Sequence, residues 1–376
     1  MRRHPLTEPM VWASAWILAG ALPALAQQFR PHVDYFAGKA PAAVAVGDVN
    51  RDGKPDLAVT DSKTGSLSVL RGTGVGTFGY RAQYGAGNTP GGVAVADFNG
   101  DGNLDLAVAD TVTNGVSVLL GYGNGRFQPP VFYPAGACAS SVAVGDLNDD
   151  HKLDLAVTNG CASTVSVLLG RGDGTFAPHT DYSTGSESEP EAVALGDFNR
   201  DGKLDVVTAD FGGDGVGVLL GNGDGTLQPY VDYPTNHFPS SVAVGDFNGD
   251  GSLDLAVTNS TTVGLGALSV LLGNGDGTFQ PKVDYSTPYA SDAVAVGDFN
   301  LDGKLDLATS ENDRVDVFLG NGDGSFQNEV SYATGLGPRA LAVADLNGDH
   351  APDIVTANTD NTVSVLLNTG AKGSAK

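Results

Sequence analysis

The apolar residues of this chain fall in short runs separated by turn-forming residues. The segment from Ser141 to Tyr182 reads SVAVGD, LNDDHKL, DLAVT, TVSVLLG, RGDGT and FAPHTDY in succession. The apolar runs are rich in Val, Leu and Ala and too short for helices, and the glycines between them supply the positive φ of tight turns. The pattern therefore predicts four short strands within this segment.

The same pattern recurs seven times along the chain. Equivalent aspartates are spaced 49, 49, 51, 49, 52 and 47 residues apart, at Asp48, Asp97, Asp146, Asp197, Asp246, Asp298 and Asp345. Four antiparallel strands in each period of about 40 to 50 residues are typical of propeller blades. We therefore expect an all-β fold, a seven-bladed β-propeller with four antiparallel strands per blade. The small residues of AVAVGD predict the inner strand, and the proline of FQPxVDY predicts an edge strand.

The two ends of the chain predict how the ring closes. The last copy ends at its third strand, Val363 to Leu367, and no outer-strand segment follows it. Phe29 to Tyr35 matches the outer-strand segment Phe279 to Tyr285, so the N-terminal strand can complete the last blade. A linear solenoid is the alternative architecture, but it would need capping ends rather than mutually completing ones.

The N-terminus has the features of a secretory signal peptide. A basic start is followed by an apolar run from Val11 to Leu22 and by the A-x-A site Ala24 to Ala26. A membrane anchor is the competing interpretation, but the run is shorter than the roughly 20 residues that span a bilayer. We expect a secreted or periplasmic protein without membrane insertion, divided into a signal peptide at 1–26, a propeller at 27–368 and a short tail at 369–376.

Charge narrows the classes of partner. The formal net charge is −24, with only 20 Lys and Arg against 44 Asp and Glu. A nucleic-acid-binding protein presents clustered basic residues, so nucleic acid is not an expected partner. About half of the acidic residues occupy fixed places in the repeat, which points to cation binding rather than to a generally acidic surface.

Each copy contains the motif D-x-N-x-D-[GH]-x-x-D, which we number as loop positions 1 to 9. Side-chain oxygens at positions 1, 3, 5 and 9 match the first part of an EF-hand loop, and hard oxygen donors favour calcium over transition metals. Magnesium is less suited because it demands tighter octahedral geometry. The predicted ligands for up to seven Ca²⁺ ions are Asp48, Asn50, Asp52, Asp56; Asp97, Asn99, Asp101, Asp105; Asp146, Asn148, Asp150, Asp154; Asp197, Asn199, Asp201, Asp205; Asp246, Asn248, Asp250, Asp254; Asp298, Asn300, Asp302, Asp306; and Asp345, Asn347, Asp349, Asp353.

These loops differ from EF-hands, because the position 12 glutamate is replaced by Val or Thr inside the following strand. The competing interpretation of a single copy is an Asx-rich turn without metal. Seven copies with three carboxylates crowded into nine residues favour calcium. His151 and His350 replace the position 6 glycine, and we expect weaker sites in those two copies.

The repeated motif resembles the FG-GAP and VCBS repeat family, whose best known members are the integrin α-chain propellers. The resemblance covers Phe29 to Asn368 and implies a seven-bladed propeller with calcium held between the first two strands of a blade. Ser240-Ser241 and Thr258-Asn259 stand near the places of the FG and GAP signature in copy five, so the likeness is closer to bacterial VCBS-type repeats. Integrin-like partner choice is therefore not implied.

The loops expected on the opposite face differ between copies, and this variation guides the functional prediction. Variable loops on a repeated scaffold usually carry binding specificity, although drift without function explains them nearly as well. We expect a non-catalytic binding or adhesion module with an unknown protein or glycan ligand on that face. A carbohydrate-binding lectin is the alternative, weakened because Phe211, Phe238 and Tyr289 are not at matching positions. A polysaccharide-active enzyme ranks lower, since among the histidines only His237 departs from the repeat and no catalytic motif appears.

The two cysteines predict a disulfide. Cys138 lies eight residues before Asp146, and Cys161 lies seven after Asp154, so the two fall nearly opposite each other on paired strands. In an oxidising compartment a disulfide is favoured over two free thiols, provided that the Cα atoms lie within about 7 Å.

Overall fold

The strands of the repeats form seven separate four-stranded antiparallel sheets. The computed structural model describes residues 28–260 and 266–370. The predicted signal peptide at 1–26 and the end of the tail at 371–376 lie outside the described residues. In blades 1 to 6 the sheet order follows the chain, from an inner first strand to an outer fourth strand.

Each blade consists of four short strands. Blade 1 comprises β2 (Pro41–Gly47), β3 (Asp56–Asp61), β4 (Ser66–Gly72) and β5 (Phe78–Gly85); blade 2 comprises β6 (Pro90–Ala96), β7 (Asp105–Asp110), β8 (Gly115–Leu119) and β9 (Val131–Pro134); blade 3 comprises β10 (Ala139–Gly145), β11 (Asp154–Asn159), β12 (Thr164–Leu168) and β13 (Thr180–Ser183). Blade 4 comprises β14 (Pro190–Gly196), β15 (Asp205–Asp210), β16 (Gly215–Leu219) and β17 (Val231–Pro234); blade 5 comprises β18 (Pro239–Gly245), β19 (Asp254–Ser260), β20 (Gly266–Leu271) and β21 (Val283–Thr287). Blade 6 comprises β22 (Ser291–Gly297), β23 (Asp306–Glu311), β24 (Arg314–Phe318) and β25 (Val330–Ala333); blade 7 comprises β26 (Pro338–Ala344), β27 (Asp353–Asn358), β28 (Thr362–Leu366) and β1 (Val33–Phe36).

The N-terminal strand closes the ring, as the sequence predicts. β1 is the outer strand of blade 7 and pairs antiparallel with β28, with Val33 opposite Val365 and Tyr35 opposite Val363. The side chain of Phe29 is fully buried and makes edge contacts with Phe299, at 5.7 Å between ring centroids, and with Tyr332, at 5.0 Å. The first and last parts of the propeller are therefore held by both a strand ladder and an aromatic cluster.

The outer strands are shorter than the FQPxVDY segments predicted for them. In blade 2 the strand begins at Val131, and Phe127 makes only an isolated bridge to Gly121. Proline has no N–H to give to a ladder, which accounts for the break where proline is present. Blade 6 has Asn328 in place of proline and is equally short, whereas blade 1 forms one continuous strand, Phe78–Gly85.

The hydrophobic core lies between adjacent blades. The second strands of the blades are buried along their length because a neighbouring sheet covers each of their faces, as β3 and β7 illustrate. In one cluster Leu57 and Val59 of β3 pack with Val363 and Val365 of β28, so the junction of blades 1 and 7 has the same kind of core as the internal junctions. The short apolar runs of the sequence thus supply sheet-to-sheet packing.

A ring of hydrogen bonds links the blades near one face. In six junctions the backbone N–H of a turn glycine donates to the carbonyl of loop position 2 in the preceding blade, as Gly125 donates to Val49 at 3.1 Å. Among the described residues the seventh blade has no such turn, because its outer strand comes from the N-terminal segment. There the Asn368 side chain supplies the donor instead, with Nδ2 at 2.8 Å from the Phe299 carbonyl oxygen.

The propeller has two different faces. The first-to-second strand loops and the third-to-fourth strand turns meet on one face, which we call the DxNxD face, as the bond between Gly125 and Val49 shows. The second-to-third strand loops and the inter-blade loops form the other face, called the variable face. In the described part of the chain no helix is long and apolar enough to cross a membrane.

Candidate metal-binding loops and binding face

The position 1 aspartates organise the loops through backbone hydrogen bonds. Asp97 accepts the N–H of Asp101 on Oδ1 at 3.2 Å and the N–H of Gly102 on Oδ2 at 2.8 Å. The same pair of bonds occurs at position 1 of the other six copies. The carboxylate thus fixes the turn from position 1 to position 6 of the loop.

Positions 3 and 5 continue this arrangement. Asn99 accepts the N–H of Asp101 on Oδ1 at 2.9 Å, and Asp101 accepts the N–H of Asn103 on Oδ1 at 2.8 Å. The backbone bond from Asn103 lowers the pKa of Asp101, and a side-chain bond from Lys152 lowers the pKa of Asp150. These exposed carboxylates are therefore ionised at neutral pH.

The loop backbone is left-handed at two positions. His151 and His350 at position 6 have φ of 63° and 67°, so histidine adopts the conformation that glycine provides in the other copies. Position 4 is left-handed as well, including Arg51 at 61° and Leu301 at 57°. The sequence motif indicated the first of these positions but not the second, since position 4 holds several residue types.

The position 9 aspartates are buried and join each loop to a neighbouring turn. Asp105 is 0 % exposed; its Oδ2 accepts the N–H of Phe98 at 2.9 Å and its Oδ1 accepts the N–H of Gly121 at 2.6 Å. Burial raises the pKa of Asp105 to about 6, and repulsion from Asp101 and Asp97 adds to this. Aspartate at position 9 therefore has a structural role that holds without a metal.

The donor chemistry of the loops fits calcium. Each loop offers carboxylates at positions 1, 5 and 9 and an amide oxygen at position 3, all of them hard oxygen donors. Among the described residues no three carboxylate, imidazole or thiolate side chains converge closely enough to hold a metal by themselves. A site in these loops would consequently need the position 3 amide or a backbone carbonyl to complete the ligand set.

Basic side chains distinguish the loops from one another. Lys152 Nζ lies 3.0 Å from Asp150 Oδ2, Lys203 Nζ lies 3.9 Å from Asp201 Oδ2, and Arg200 lies 3.5 Å from Asp250 Oδ1. These contacts partly neutralise position 5 in copies three, four and five. A divalent ion in those loops would have to compete with a cation that the chain itself supplies.

The two cysteines are joined on the variable face. Cys138 and Cys161 form a disulfide with their Cα atoms 5.3 Å apart, within the distance that a disulfide can bridge. Cys138 precedes β10, and Cys161 lies in the short 3-10 helix Gly160–Ala162 after β11. The bridge therefore ties two loops beyond the paired strands, rather than the strands on which the spacing placed the cysteines.

Two of the variable loops have the same hydrogen bond and backbone conformation despite their different sequences. Asp214, with φ of 55°, accepts the N–H of Phe238, also with φ of 55°, at 3.1 Å. Asn114 accepts the N–H of Cys138 in the same way at 2.9 Å. The left-handed backbone of Phe238 thus recurs at Cys138 and is not peculiar to one loop.

The aromatic residues noted in the sequence are only partly brought together. Phe211 and Phe238 lie with ring centroids 5.0 Å apart, and His237 Nδ1 lies 2.8 Å from Asp214 Oδ2 beside them. Tyr289 lies in another blade, where the Arg314 guanidinium sits 5.2 Å from the centroid of its ring.

A cavity at the propeller axis was not predicted from the sequence. It has a volume of about 520 Å³, and the first halves of the inner strands line it at the variable face. Its charged residues are Glu191, Asp292 and Arg339. All three stand six residues before position 1 of their copies, where the other copies have Ala, Gly or Ser, so aligning the repeats would have revealed them.

The fold and the loops define the class of this protein as a seven-bladed β-propeller with acidic loops between the first and second strands. The model of the FG-GAP-like repeat matches residues 48–108, 97–157, 152–208, 201–257, 259–309 and 298–356. The chain belongs to the FG-GAP-like repeat family. A search of curated proteins gave no match.

Solved structures share the fold at low sequence identity. One is a lectin from Agrocybe aegerita that recognises non-reducing terminal N-acetylglucosamine, with 19 % identity, a TM-score of 0.58 and coverage of 85 % of this chain and 86 % of the lectin. A structure of BBS1N in complex with ARL6DN has 13 % identity, a TM-score of 0.64 and coverage of 90 % of this chain and 97 % of the matched chain. A functionally unknown protein from Desulfotomaculum acetoxidans has 15 % identity, a TM-score of 0.59 and coverage of 85 % of this chain and 89 % of that protein. These likenesses concern the fold alone.

Proposed function

We propose that this protein is a secreted, calcium-binding β-propeller that acts as a non-catalytic binding or adhesion module. The observation that carries the proposal is the contrast between its two faces. Seven loops with the same hydrogen bonds occupy the DxNxD face, whereas the loops of the variable face differ in sequence and side chains, and only some share a backbone hydrogen bond, as those at Asp214 and Asn114 do. A uniform face suits a structural role, and a varied face suits recognition.

Calcium has a structural role in this proposal. Bound calcium would neutralise carboxylates that otherwise repel one another, since Asp101 and Asp97 already raise the pKa of Asp105. The loops hold their own shape through backbone bonds, so the ion reinforces a preformed turn. The ligand-binding face lies at the other ends of the same strands, away from the metal.

The histidine that departs from the repeat supports binding rather than catalysis. His237 is half exposed and contacts Asp214, whose other carboxylate oxygen accepts the N–H of Phe238. The carboxylate is thus occupied in holding the loop that carries Phe238. The arrangement is a support for an exposed aromatic side chain.

The location of the binding face can be tested with two matched substitutions. Phe238→Asp places a charge on the variable face, where Phe238 is 37 % exposed, and Val75→Asp places the same charge on the DxNxD face, where Val75 is 63 % exposed. A ligand identified by pull-down from the native surroundings should lose affinity for Phe238→Asp and keep it for Val75→Asp. The reverse pattern would place recognition on the other face and reject the proposal.

A carbohydrate-binding lectin is the second candidate. It is favoured by the shared fold with the Agrocybe aegerita lectin and by the adjacent rings of Phe211 and Phe238. A glycan array with calcium present separates the two candidates. Binding to a defined sugar that Phe238→Asp abolishes would favour the lectin, whereas an empty array beside a protein ligand would favour the protein-directed module.

Secretion follows from the proposed signal peptide. We expect N-terminal sequencing of the mature protein from its native host to begin at Gln27. Protein in the cytosolic fraction that retains residues 1–26 would contradict this part of the proposal.

A further inference from the structure

A groove at the outer edge of blades 1 and 2 gathers basic and aromatic side chains. It has a volume of about 640 Å³, and its lining includes Arg71 and Tyr80 of blade 1 and Tyr122 and Arg126 of blade 2. The described residues that line it include no carboxylate, although the chain has 44 Asp and Glu against 20 Lys and Arg. The groove is therefore a positively charged site on an acidic protein.

The two guanidiniums meet across the junction of the two blades. Arg71 Nη2 donates to the Asn124 carbonyl oxygen at 2.7 Å, and Arg71 Cζ lies 5.5 Å from the centroid of the Tyr80 ring. Burial raises the pKa of Tyr84, which also lines the groove, whereas the positive charges of Arg71 and Arg126 counteract that rise. Both guanidiniums thus lie near the same tyrosine, and with the described residues neither forms an ion pair.

The guanidinium of Arg71 keeps donors for a ligand. Its bond to the carbonyl oxygen uses one of five N–H groups. Arg81 also lines the groove, but its Nε donates to Ser68 Oγ at 2.9 Å and its Cζ lies 5.1 Å from the ring centroid of Phe36 in blade 7. Arg71 and Arg126 are therefore the pair available to bind an anion.

The other copies of the repeat show that this charge belongs to one junction. Leucine replaces Arg71 in the other six copies, and Leu120, for example, packs against the turn glycine Gly174 of the next blade. In copies three to six Thr or Ser replaces Arg126, and Asp replaces Asn124. The junction of blades 1 and 2 has thus gained two cations and lacks a carboxylate that four other turns carry. The replacing residues are Leu120, Leu169, Leu220, Leu272, Leu319 and Leu367; Thr175, Thr226, Thr278 and Ser325; and Asp173, Asp224, Asp276 and Asp323.

The exposed rings in the groove favour one class of anion. Tyr80 is 68 % exposed and Tyr122 is 56 % exposed, and tyrosine supplies a large contact surface at a small cost in conformational entropy. An acidic sugar carries its carboxylate or sulfate and an apolar ring face on one rigid unit, so it can contact a guanidinium and a tyrosine ring together. Inorganic phosphate would use the guanidiniums alone. An acidic peptide would present each carboxylate on a flexible side chain whose ordering costs free energy.

We propose that the groove between blades 1 and 2 binds an acidic polysaccharide, with Arg71 and Arg126 pairing with its carboxylate or sulfate groups and Tyr80 packing against a sugar ring. A guanidinium suits this role because its planar fork forms paired hydrogen bonds with such groups. The site goes beyond the proposed function, since it lies beside a turn of the DxNxD face and not on the variable face. The protein can hold the polysaccharide at this edge while the variable face stays open to its own ligand.

The test uses a hexamer of galacturonate, its fully methyl-esterified form as the uncharged counterpart, and a heparin hexasaccharide as the sulfated probe. Titrations of the mature protein at an ionic strength of about 0.15 M largely screen charges more than about 8 Å away, so the net charge of −24 has little influence. At least one acidic probe should bind, and the methyl ester should bind much more weakly. The tighter acidic probe identifies the acid group. Binding of neither acidic probe, or equal binding of the galacturonate hexamer and its ester, would overturn the inference.

Three variants install residues that other copies carry at the same positions, so they suit the fold. Arg71→Leu and Arg126→Thr should each weaken binding by about fivefold, the contribution of one exposed ion pair. Asn124→Asp should weaken it severalfold, because it places a carboxylate at the residue that contacts Arg71. The matched control is Arg171→Asn, which removes one positive charge from the turn of blade 3 and should leave binding unchanged. An equal loss in Arg171→Asn and Arg126→Thr would mean that only overall charge matters, and the site would be wrong.

Two further comparisons separate the sugar from other ligands and from the other face. Tyr80→Ala should weaken binding of the acidic sugar severalfold, because the sugar ring loses its contact surface. Hexaglutamate has six side-chain carboxylates and no sugar ring, and it should bind more weakly than the galacturonate hexamer. Hexaglutamate that binds as tightly, together with no effect of Tyr80→Ala, would assign the groove to acidic peptides and reject the proposal. Phe238→Asp should leave binding of the acidic sugar unchanged, so the result does not depend on the proposed function of the variable face.

Discussion

Removal of the Phe29 side chain tests how far the N-terminal segment holds the propeller together. Phe29 is fully buried and contacts the rings of Phe299 and Tyr332 at the junction of blades 6 and 7. Truncation of a buried phenylalanine to alanine typically costs 3–5 kcal/mol, and an edge contact between rings adds about 0.5–1.5 kcal/mol to area burial. With two ring partners and complete burial, we expect Phe29→Ala to lower the free energy of unfolding by about 4–5 kcal/mol.

The matched control is Phe279→Ala in blade 5. Phe279 occupies the equivalent position in an unbroken repeat and contacts Phe198 and Tyr233 at 5.7 and 5.2 Å. Urea unfolding followed by far-UV circular dichroism gives both free energies, and similar losses are expected because the two junctions are built alike. If Phe29→Ala lowers the free energy of unfolding by less than about 1 kcal/mol while Phe279→Ala lowers it by the full amount, the stability of the propeller does not depend on the packing of its N-terminal segment.

Three further predictions concern other parts of the molecule. Burial raises the pKa of Glu311 to about 7, and the neighbouring Asp316 adds to this; the group therefore contributes stability below its unfolded pKa near 4.5 that is lost as pH rises through 7. Thermal melts should show Glu311→Gln more stable than wild type at pH 8.5 and not at pH 5, and no difference between the two pH values would refute the reasoning. Replacing Cys138 and Cys161 with alanine removes a cross-link over a separation of 23 residues and should cost about 3 kcal/mol in urea; two free thiols in the native protein, detected by mass spectrometry, would contradict this. Asp105→Asn should destabilise the protein by about 1–3 kcal/mol even in EDTA, because a buried N–H loses its anionic acceptor, whereas a loss confined to calcium buffers would mean that position 9 acts only as a ligand.

The repeat made the architecture predictable from the sequence. Seven equally patterned copies indicated the blades, and the match between Phe29–Tyr35 and Phe279–Tyr285 indicated the closure that β1 and β28 form. Internal repeats are unusually informative because one interpretation has to satisfy every copy. The outer strands were predicted too long, since their pairing depends on local backbone geometry.

The loops were predictable in composition but not in the role of each residue. Spacing alone did not show that Asp105 is buried with both oxygens bonded to backbone N–H groups. One donor is Phe98 at loop position 2, and the other is Gly121 beyond the third strand of the blade. Nor did spacing show that Asn368 replaces a missing turn glycine at the last junction. Such roles depend on contacts between segments that are far apart in the chain.

The axial cavity was only partly predictable from the sequence. The unusual residues Glu191, Asp292 and Arg339 are visible when the repeats are aligned, yet a single copy gives no reason to group them. Closure of the ring places blades 4, 6 and 7 around one axis and brings the three side chains to one rim. Their grouping is a consequence of topology.

Calcium binding by the DxNxD loops is the central claim, and the melting temperature of the mature protein in calcium and in EDTA tests it most directly. Extracellular sites with Kd of about 0.1–1 mM would add roughly 0.4–1.4 kcal/mol each at millimolar calcium. Over seven loops the sum is about 3–10 kcal/mol, enough for a marked fall in melting temperature when EDTA removes the ion. Magnesium at the same concentration controls for ionic strength and should restore little of the loss. Identical melting temperatures in calcium and in EDTA would contradict the account.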